Sequence, residues 1–129
     1  MEIVGRAPEL AGLQCEAFIC QAFVYKGELV SNAHVVHLCF AGEWQTLSID
    51  CGVIFWRRSV GRPEPWMIAS EGWEYPHVDV GAIADVIGRC LKNYRMAANG
   101  SEGEVNFLFD NGRTIAINNE NDISTFQID

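Results

Sequence analysis

Val105-Asn106-Phe107-Leu108-Phe109-Asp110-Asn111-Gly112-Arg113-Thr114-Ile115-Ala116-Ile117-Asn118 is the stretch on which the fold turns. Val105, Phe107 and Phe109 before its centre, and Ile115 and Ile117 after it, recur at every second position. That two-residue period belongs to a strand with one buried face. Between the two runs, Asp110-Asn111-Gly112 supplies residues that tolerate the positive φ of a tight hairpin. The segment therefore predicts strand, strong turn, strand.

An earlier stretch repeats the pattern. Leu38-Cys39-Phe40-Ala41-Gly42-Glu43-Trp44 is followed by Leu47-Ser48-Ile49-Asp50, with Ala41-Gly42-Glu43 as a longer, weaker turn. Outward from each hairpin the likeness continues. Leu10-Ala11-Gly12-Leu13-Gln14-Cys15 precedes the first, and Ala84-Asp85-Val86-Ile87-Gly88-Arg89-Cys90 the second. Val53 with Trp56 follows the first, and Ile123 with Phe126 the second. Four matches in one order predict an internal duplication. The expected fold class is α+β, mostly β: an antiparallel sheet built from two tandem copies of a helix-turn, strand, hairpin and closing strand. The copies span about 7–58 and 80–129 of a single domain, 1–129, joined by a connection at 59–79.

Within the first copy, Phe18 to Tyr25 reads as a strand, Lys26-Gly27-Glu28 as a turn, Val35 to Phe40 and Thr46 to Ile49 as the hairpin, and Val53 to Trp56 as a further strand. In the second, Val80, Ile83, Val86 and Ile87 have helical spacing, which predicts an amphipathic helix within Pro76 to Ile87 stopped by Gly88. That helix can run on through Leu91 and Tyr94. Analogy with the first copy favours instead a strand from Arg89 to Ala97 and a turn at Asn99–Gly103. Val105 to Phe109, Thr114 to Asn118 and Ile123 to Ile128 complete the sheet.

At 129 residues the chain suits one core better than two. With 49% hydrophobic and 20% charged residues it has the composition of a globular protein, which excludes wholesale disorder. No apolar run approaches the roughly 20 residues of a membrane span. Met1-Glu2-Ile3-Val4-Gly5-Arg6 lacks the basic start and apolar stretch of a secretory signal, so a cytoplasmic location is expected. The cysteines, Cys15, Cys20, Cys39, Cys51 and Cys90, are odd in number and form no C-x-x-C pair. Buried free thiols are expected rather than a disulfide framework.

The net charge is −8 and unevenly placed. Residues 1–58 carry six acids and four bases, residues 59–129 eleven acids and five bases. Such a chain repels phosphate backbones and is drawn to basic protein surfaces. The connection, Ser59 to Asp79, concentrates this character. It holds Pro63, Pro65 and Pro76, the aromatic residues Trp66, Trp73 and Tyr75, and the acids Glu64, Glu71, Glu74 and Asp79. Trp and Tyr bury large areas at low entropic cost, and acidic neighbours steer a basic partner. Glu64, Trp66, Glu71, Trp73, Glu74, Tyr75 and Asp79 are therefore the candidate partner-binding residues; the competing reading folds Trp66 and Trp73 back as a lid over the sheet.

Catalytic signatures are few. In His34-Val35-Val36-His37-Leu38-Cys39, strand alternation places His37 and Cys39 on one face and His34 on the other, too few ligands for structural zinc. A Cys–His pair drawn from Cys39 or Cys51 with His34, His37 or His77 lacks a local motif. No phosphate loop, nucleophile elbow or H-E-x-x-H is present. Glu102 and Glu104 share a strand face, where solvation is their ordinary role. Neither enzyme activity nor a cofactor is expected.

The second copy resembles a pattern of small bacterial proteins: a short helix ending in an Ile-Gly step, a polar strand, then L-x-L-x-F-D-x-G-x-x-L-x-I and a closing aromatic strand. Here it is Val86-Ile87-Gly88, then Val105 to Ile117, then Phe126. Some proteins of this kind look like immunity partners of polymorphic toxins, including those of contact-dependent growth inhibition. The motif describes turns and core positions and transfers no site residue; the ending Asp122-Ile123-Ser124-Thr125-Phe126 departs from the acidic-aromatic pair common in such proteins. The resemblance implies a non-catalytic binding module whose partner is a cognate toxin domain, basic and nuclease-like. The alternative is a small-molecule-binding or regulatory domain with its ligand between the two copies.

Overall fold

The computed structural model describes all 129 residues, which form two facing β-sheets. The chain runs through β1 (Ile3–Val4), β2 (Cys15–Tyr25), β3 (Glu28–Phe40), β4 (Glu43–Asp50), β5 (Val53–Ser59), β6 (Trp66–Ile68), β7 (Trp73–Tyr75), β8 (His77–Asp79), one helical turn α1 (Val80–Ile83), β9 (Leu91–Asn99), β10 (Glu102–Phe109), β11 (Thr114–Glu120) and β12 (Ile123–Ile128). The large sheet has the order β1-β5-β4-β3-β2-β7-β6, with β8 also on β2; the small sheet is β12-β11-β10-β9. All pairings are antiparallel except β1 with β5. No helix is long and apolar enough to cross a membrane.

The alternating positions meet between the sheets. Phe18 from β2 and Phe107 from β10 pack edge-to-face, centroids 5.1 Å apart at 89°. Tyr94 stacks on Phe107 at 5.5 Å, and Trp56 donates its Nε1–H to Met96 Sδ at 3.2 Å. Leu38, Leu47, Ile54, Ile115 and Ile117 complete a continuous apolar layer. The sheets are also tied at one edge by polar groups. Ser31 Oγ donates to the Ser124 carbonyl, and Phe126 N–H donates to Asn32 Oδ1 at 3.0 Å.

Four hairpins close through two-residue turns in which both residues have positive φ: Lys26-Gly27, Ala41-Gly42, Cys51-Gly52 and Asn121-Asp122. This is the type I′ geometry that matches strand twist. It reverses the expected ranking of the two central hairpins. Ala41-Gly42 is the tight turn, with Ala41 at φ 50°, whereas Asp110 to Arg113 form a longer loop closed by Phe109 N–H to the Arg113 carbonyl at 2.9 Å. Gly52 is required for contact as well as φ: a Cβ there would lie 2.6 Å from the Gly100 carbonyl oxygen.

Each half contains a four-strand meander, β2–β5 and β9–β12. Phe40 and Phe109, Leu47 and Ile115, and Ile49 and Ile117 hold buried positions in both. The helical part of the expected repeat is absent. Residues 7–14 contain only a turn closed by Leu13 N–H to the Leu10 carbonyl, 3.0 Å. In the second half the expected Pro76–Ile87 helix is replaced by β8 and the single turn α1. Val78 pairs with Cys20 on β2, so the chain takes the sheet edge first; Asp79 then accepts from Ala82 N–H at 3.2 Å, and Asp85 turns to φ 57°. The apolar spacing of Val80 and Val86 plugs the core instead, while Ile83 and Ile87 stay exposed. The connection 59–79 is not a loop, since it supplies β6, β7 and β8. The cysteines are all free, yet Cys51 is exposed and Cys90 half-buried, so only three of the five are the buried thiols expected.

Candidate functional site

The large sheet presents an unusual outward face. On β2 the outward positions are Ala17, Ile19, Gln21 and Phe23, because Phe18, Cys20 and Ala22 point into the core. Ala17 and Ile19 are nonetheless buried, forming with Cys39 a second apolar cluster under Trp44. Above that cover, Arg62 in the irregular segment between β5 and β6 lies over the Trp44 ring at 5.6 Å.

A bulge in β3 corrects the reading of its histidines. Ala33 and Val36 are both buried although three residues apart, and the register runs Phe23 to Ser31 but Gln21 to Val35. Between these pairs β3 runs four residues while β2 runs two, and the irregularity brings His34 onto the face that carries His37. All three histidines therefore share one face. His34 lies 5.5 Å from the Phe23 ring and 6.1 Å from Tyr75; His37 and His77 lie 5.8 Å apart. His37 Nε2 is 3.1 Å from Gln21 Oε1, and buried His77 Nε2 has no partner. Burial, then the neighbouring His77 and Arg57, lowers His37 to about 4. Burial, then Arg62, also lowers His77. Both rings are thus held neutral at pH 7.

Beside them runs an aromatic stack. Trp66 lies on Tyr75 at 4.2 Å and 17°, and Tyr75 on Phe23 at 5.3 Å and 17°. The β6–β7 ribbon places Trp66 opposite Tyr75 in register, and β7 is zipped to β2 through Val24 and Tyr25. Trp66 remains 48% exposed and Trp73 37%, so neither folds back as a buried lid. The predicted carboxylates are not gathered into one patch. Glu64 precedes the ribbon, Glu71 occupies its tip, and Glu74 pairs with Met67 on the opposite ribbon face. Asp79 caps α1. Phe23, the base of the stack, was missed as a site residue; its i, i+2 relation to Gln21 and Ile19 was the available signal.

No Cys–His couple forms: His37 engages Gln21, and burial pushes the Cys39 thiol up. Asp50, Cys51 and Asp122 do converge, with donor atoms within 4.8 Å of one another, where two hairpin turns meet. There the Cys51 thiol donates to Asp122 Oδ1 at 3.6 Å and is raised by that carboxylate. Elsewhere, the small sheet's outward face bears a polar depression of about 370 Å³ lined by groups such as Glu102, Glu104, Asn118 and Glu120. Compared with models of known families, with curated proteins and with solved structures, the chain matches none.

Proposed function

We propose that the chain is a non-catalytic, stoichiometric protein-binding module of the immunity type, which neutralises a basic toxin domain by docking it on the β6–β7 ribbon. The observation that carries this reading is the Phe23–Tyr75–Trp66 stack, a rigid aromatic platform ending in a half-exposed indole at a sheet edge. Pre-ordered aromatic anchors lose little entropy on binding, and the open indole face suits a guanidinium or an apolar side chain. Glu64 precedes the ribbon, Glu71 occupies its tip and Glu74 lies on its other face, and the net charge of −8 favours a cationic partner. The resemblance of residues 80–129 to immunity-type proteins supplies the biological class.

The test is calorimetry against a basic toxin domain that co-purifies with the chain from its host. A one-to-one complex is expected, weakened by about 2–4 kcal/mol in Trp66→Ala. A Glu71→Lys, Glu74→Lys variant is expected to associate more slowly at low salt. Unchanged affinity and kinetics in both variants would move the docking face elsewhere.

A further inference from the structure

The connection, residues 59–79, adds little to the core. None of its residues is fully buried, and the core resumes only at Val80. What holds it is a short zip along β2. Val24 and Tyr25 pair with Glu74 and Trp73, Ala22 N–H donates to the Pro76 carbonyl at 2.8 Å, and Ile19, Cys20 and Gln21 pair with Asp79, Val78 and His77. A segment held by a few backbone bonds and little apolar contact opens at far lower free energy than the core it lies on.

At the polar centre of the zip is Gln21, in register with His77 on one side and bonded to His37 on the other. A carboxamide oxygen only accepts, so His37 Nε2–H donates to Gln21 Oε1 at 3.1 Å. His77 Nε2 is buried with no partner, which suits a bare imidazole nitrogen and not an N–H⁺. The two rings lie 5.8 Å apart, so a proton on one opposes a proton on the other. Their charged neighbours are cations. Arg57 shares the face, paired with the Thr46 that pairs with His37, and Arg62 from the segment between β5 and β6 opposes charge on His77. The carboxylates of the packed elements are committed elsewhere: Asp79 caps α1 through Ala82 N–H, Glu16 accepts from Gly42 N–H at 2.6 Å, and Glu74 lies on the other face of the ribbon. His34 packs on Phe23 and Tyr75, and burial keeps the Cys39 thiol protonated.

We propose that the His37–His77 pair is an acid-operated latch on the connection. Neutral rings let β8 lie closed on β2. Protonated rings set two charges beside two arginines with no carboxylate to receive them, and the segment lifts off while the core stays folded. Opening returns both rings to water, so protons favour the open form. The closed form is fully favoured above 6.5 and loses the His37 contribution as pH falls through about 4, with His77 lowered in the same sense. Within that window each ring favours opening by up to about tenfold per pH unit. Opening also dismantles the aromatic platform, because Tyr75, on which Trp66 rests, is joined to β8 through Pro76 alone. The latch is a property of the free chain and does not depend on the docking proposal.

The test is a pH titration of the full-length ¹⁵N-labelled chain followed through its amide resonances. Residues 66–79 are expected to lose their dispersed, strand-like shifts reversibly between 6.5 and about 4, while β9–β12 keep theirs. His37→Gln and His77→Gln, each alone, should reduce the open fraction at the acid end by roughly tenfold or more, and together should keep the segment closed. Arg57→Gln, at an exposed position, serves where a histidine variant does not fold. It should reduce acid opening severalfold, because the closed form then tolerates a proton on His37 more readily. Amides of 66–79 that stay dispersed throughout, that collapse together with those of β9–β12, or that collapse equally in the wild type and in these variants would overturn the latch.

Discussion

On the small sheet the outward positions are mostly polar, among them Asn93, Arg95, Asn99, Glu104, Asn106, Asn118 and Thr125, and the apolar ones, such as Leu108, stay exposed. On the large sheet they are Ala17, Ile19, Phe23, Cys39, Trp44 and the three histidines, several of them buried. The backbone geometry is the same and the environments differ. The small sheet has one buried face, so its strands alternate cleanly. The large sheet is covered inside by the small sheet and, around Ala17, Ile19 and Cys39, outside as well by Trp44, over which Arg62 lies. Its strand β2 therefore reads as a nearly unbroken apolar run, as doubly covered strands do. The lesson is that polarity periodicity reports how many faces are covered.

The sharpest way to break this contrast is one charge on each face. Ile19→Asp buries a carboxylate beside Asp79, its register partner, and should cost about 3–5 kcal/mol in denaturant unfolding. Asn106→Asp, exposed and facing Arg95 across the ladder, should change stability by less than about 0.5 kcal/mol. Equal effects would mean the outer cluster is not a second core.

Acid titration distinguishes the faces next, because only the large sheet carries histidines. His37 is lowered from 6.5 to about 4 in the folded chain. As pH falls below 6.5 the unfolded chain takes up the proton first, so this contribution to stability is complete above 6.5 and is lost down through about 4. The denaturant midpoint should drop between those limits, and drop less in His37→Gln. Identical pH profiles for the two proteins would contradict the neutral, buried ring.

A smaller effect is expected where the sheets' turns meet. Asp122 raises the Cys51 thiol, so Asp122→Asn should speed alkylation of Cys51 severalfold at pH 8. An unchanged rate would separate the two groups in solution.

The hairpins were legible because Val105 to Ile117 and Leu38 to Ile49 carry their own period and turn residues. Leu91–Asn99 was legible only by analogy with the first half. The bulge in β3 was not, since no residue marks the point where His34 changes face. Nor were β6, β7 and β8: strands of three residues exist because β2 offers an unpaired edge, a tertiary fact. The same edge turned a helical spacing at Val80, Ile83, Val86 and Ile87 into a plug with two exposed isoleucines. Of the candidate site, the aromatic residues were found by composition, but their stacking depends on Phe23 in β2, far from the connection in sequence.

Hydrogen exchange of the chain alone and in complex with a co-purifying toxin domain tests the docking account most directly. Slowed exchange in the amides of residues 66–75, together with Phe23 and its neighbours, is expected, while β9–β12 exchange as in the free chain. Protection confined to the polar outward face of the small sheet, with the β6–β7 ribbon exchanging freely in a saturated complex, would contradict it.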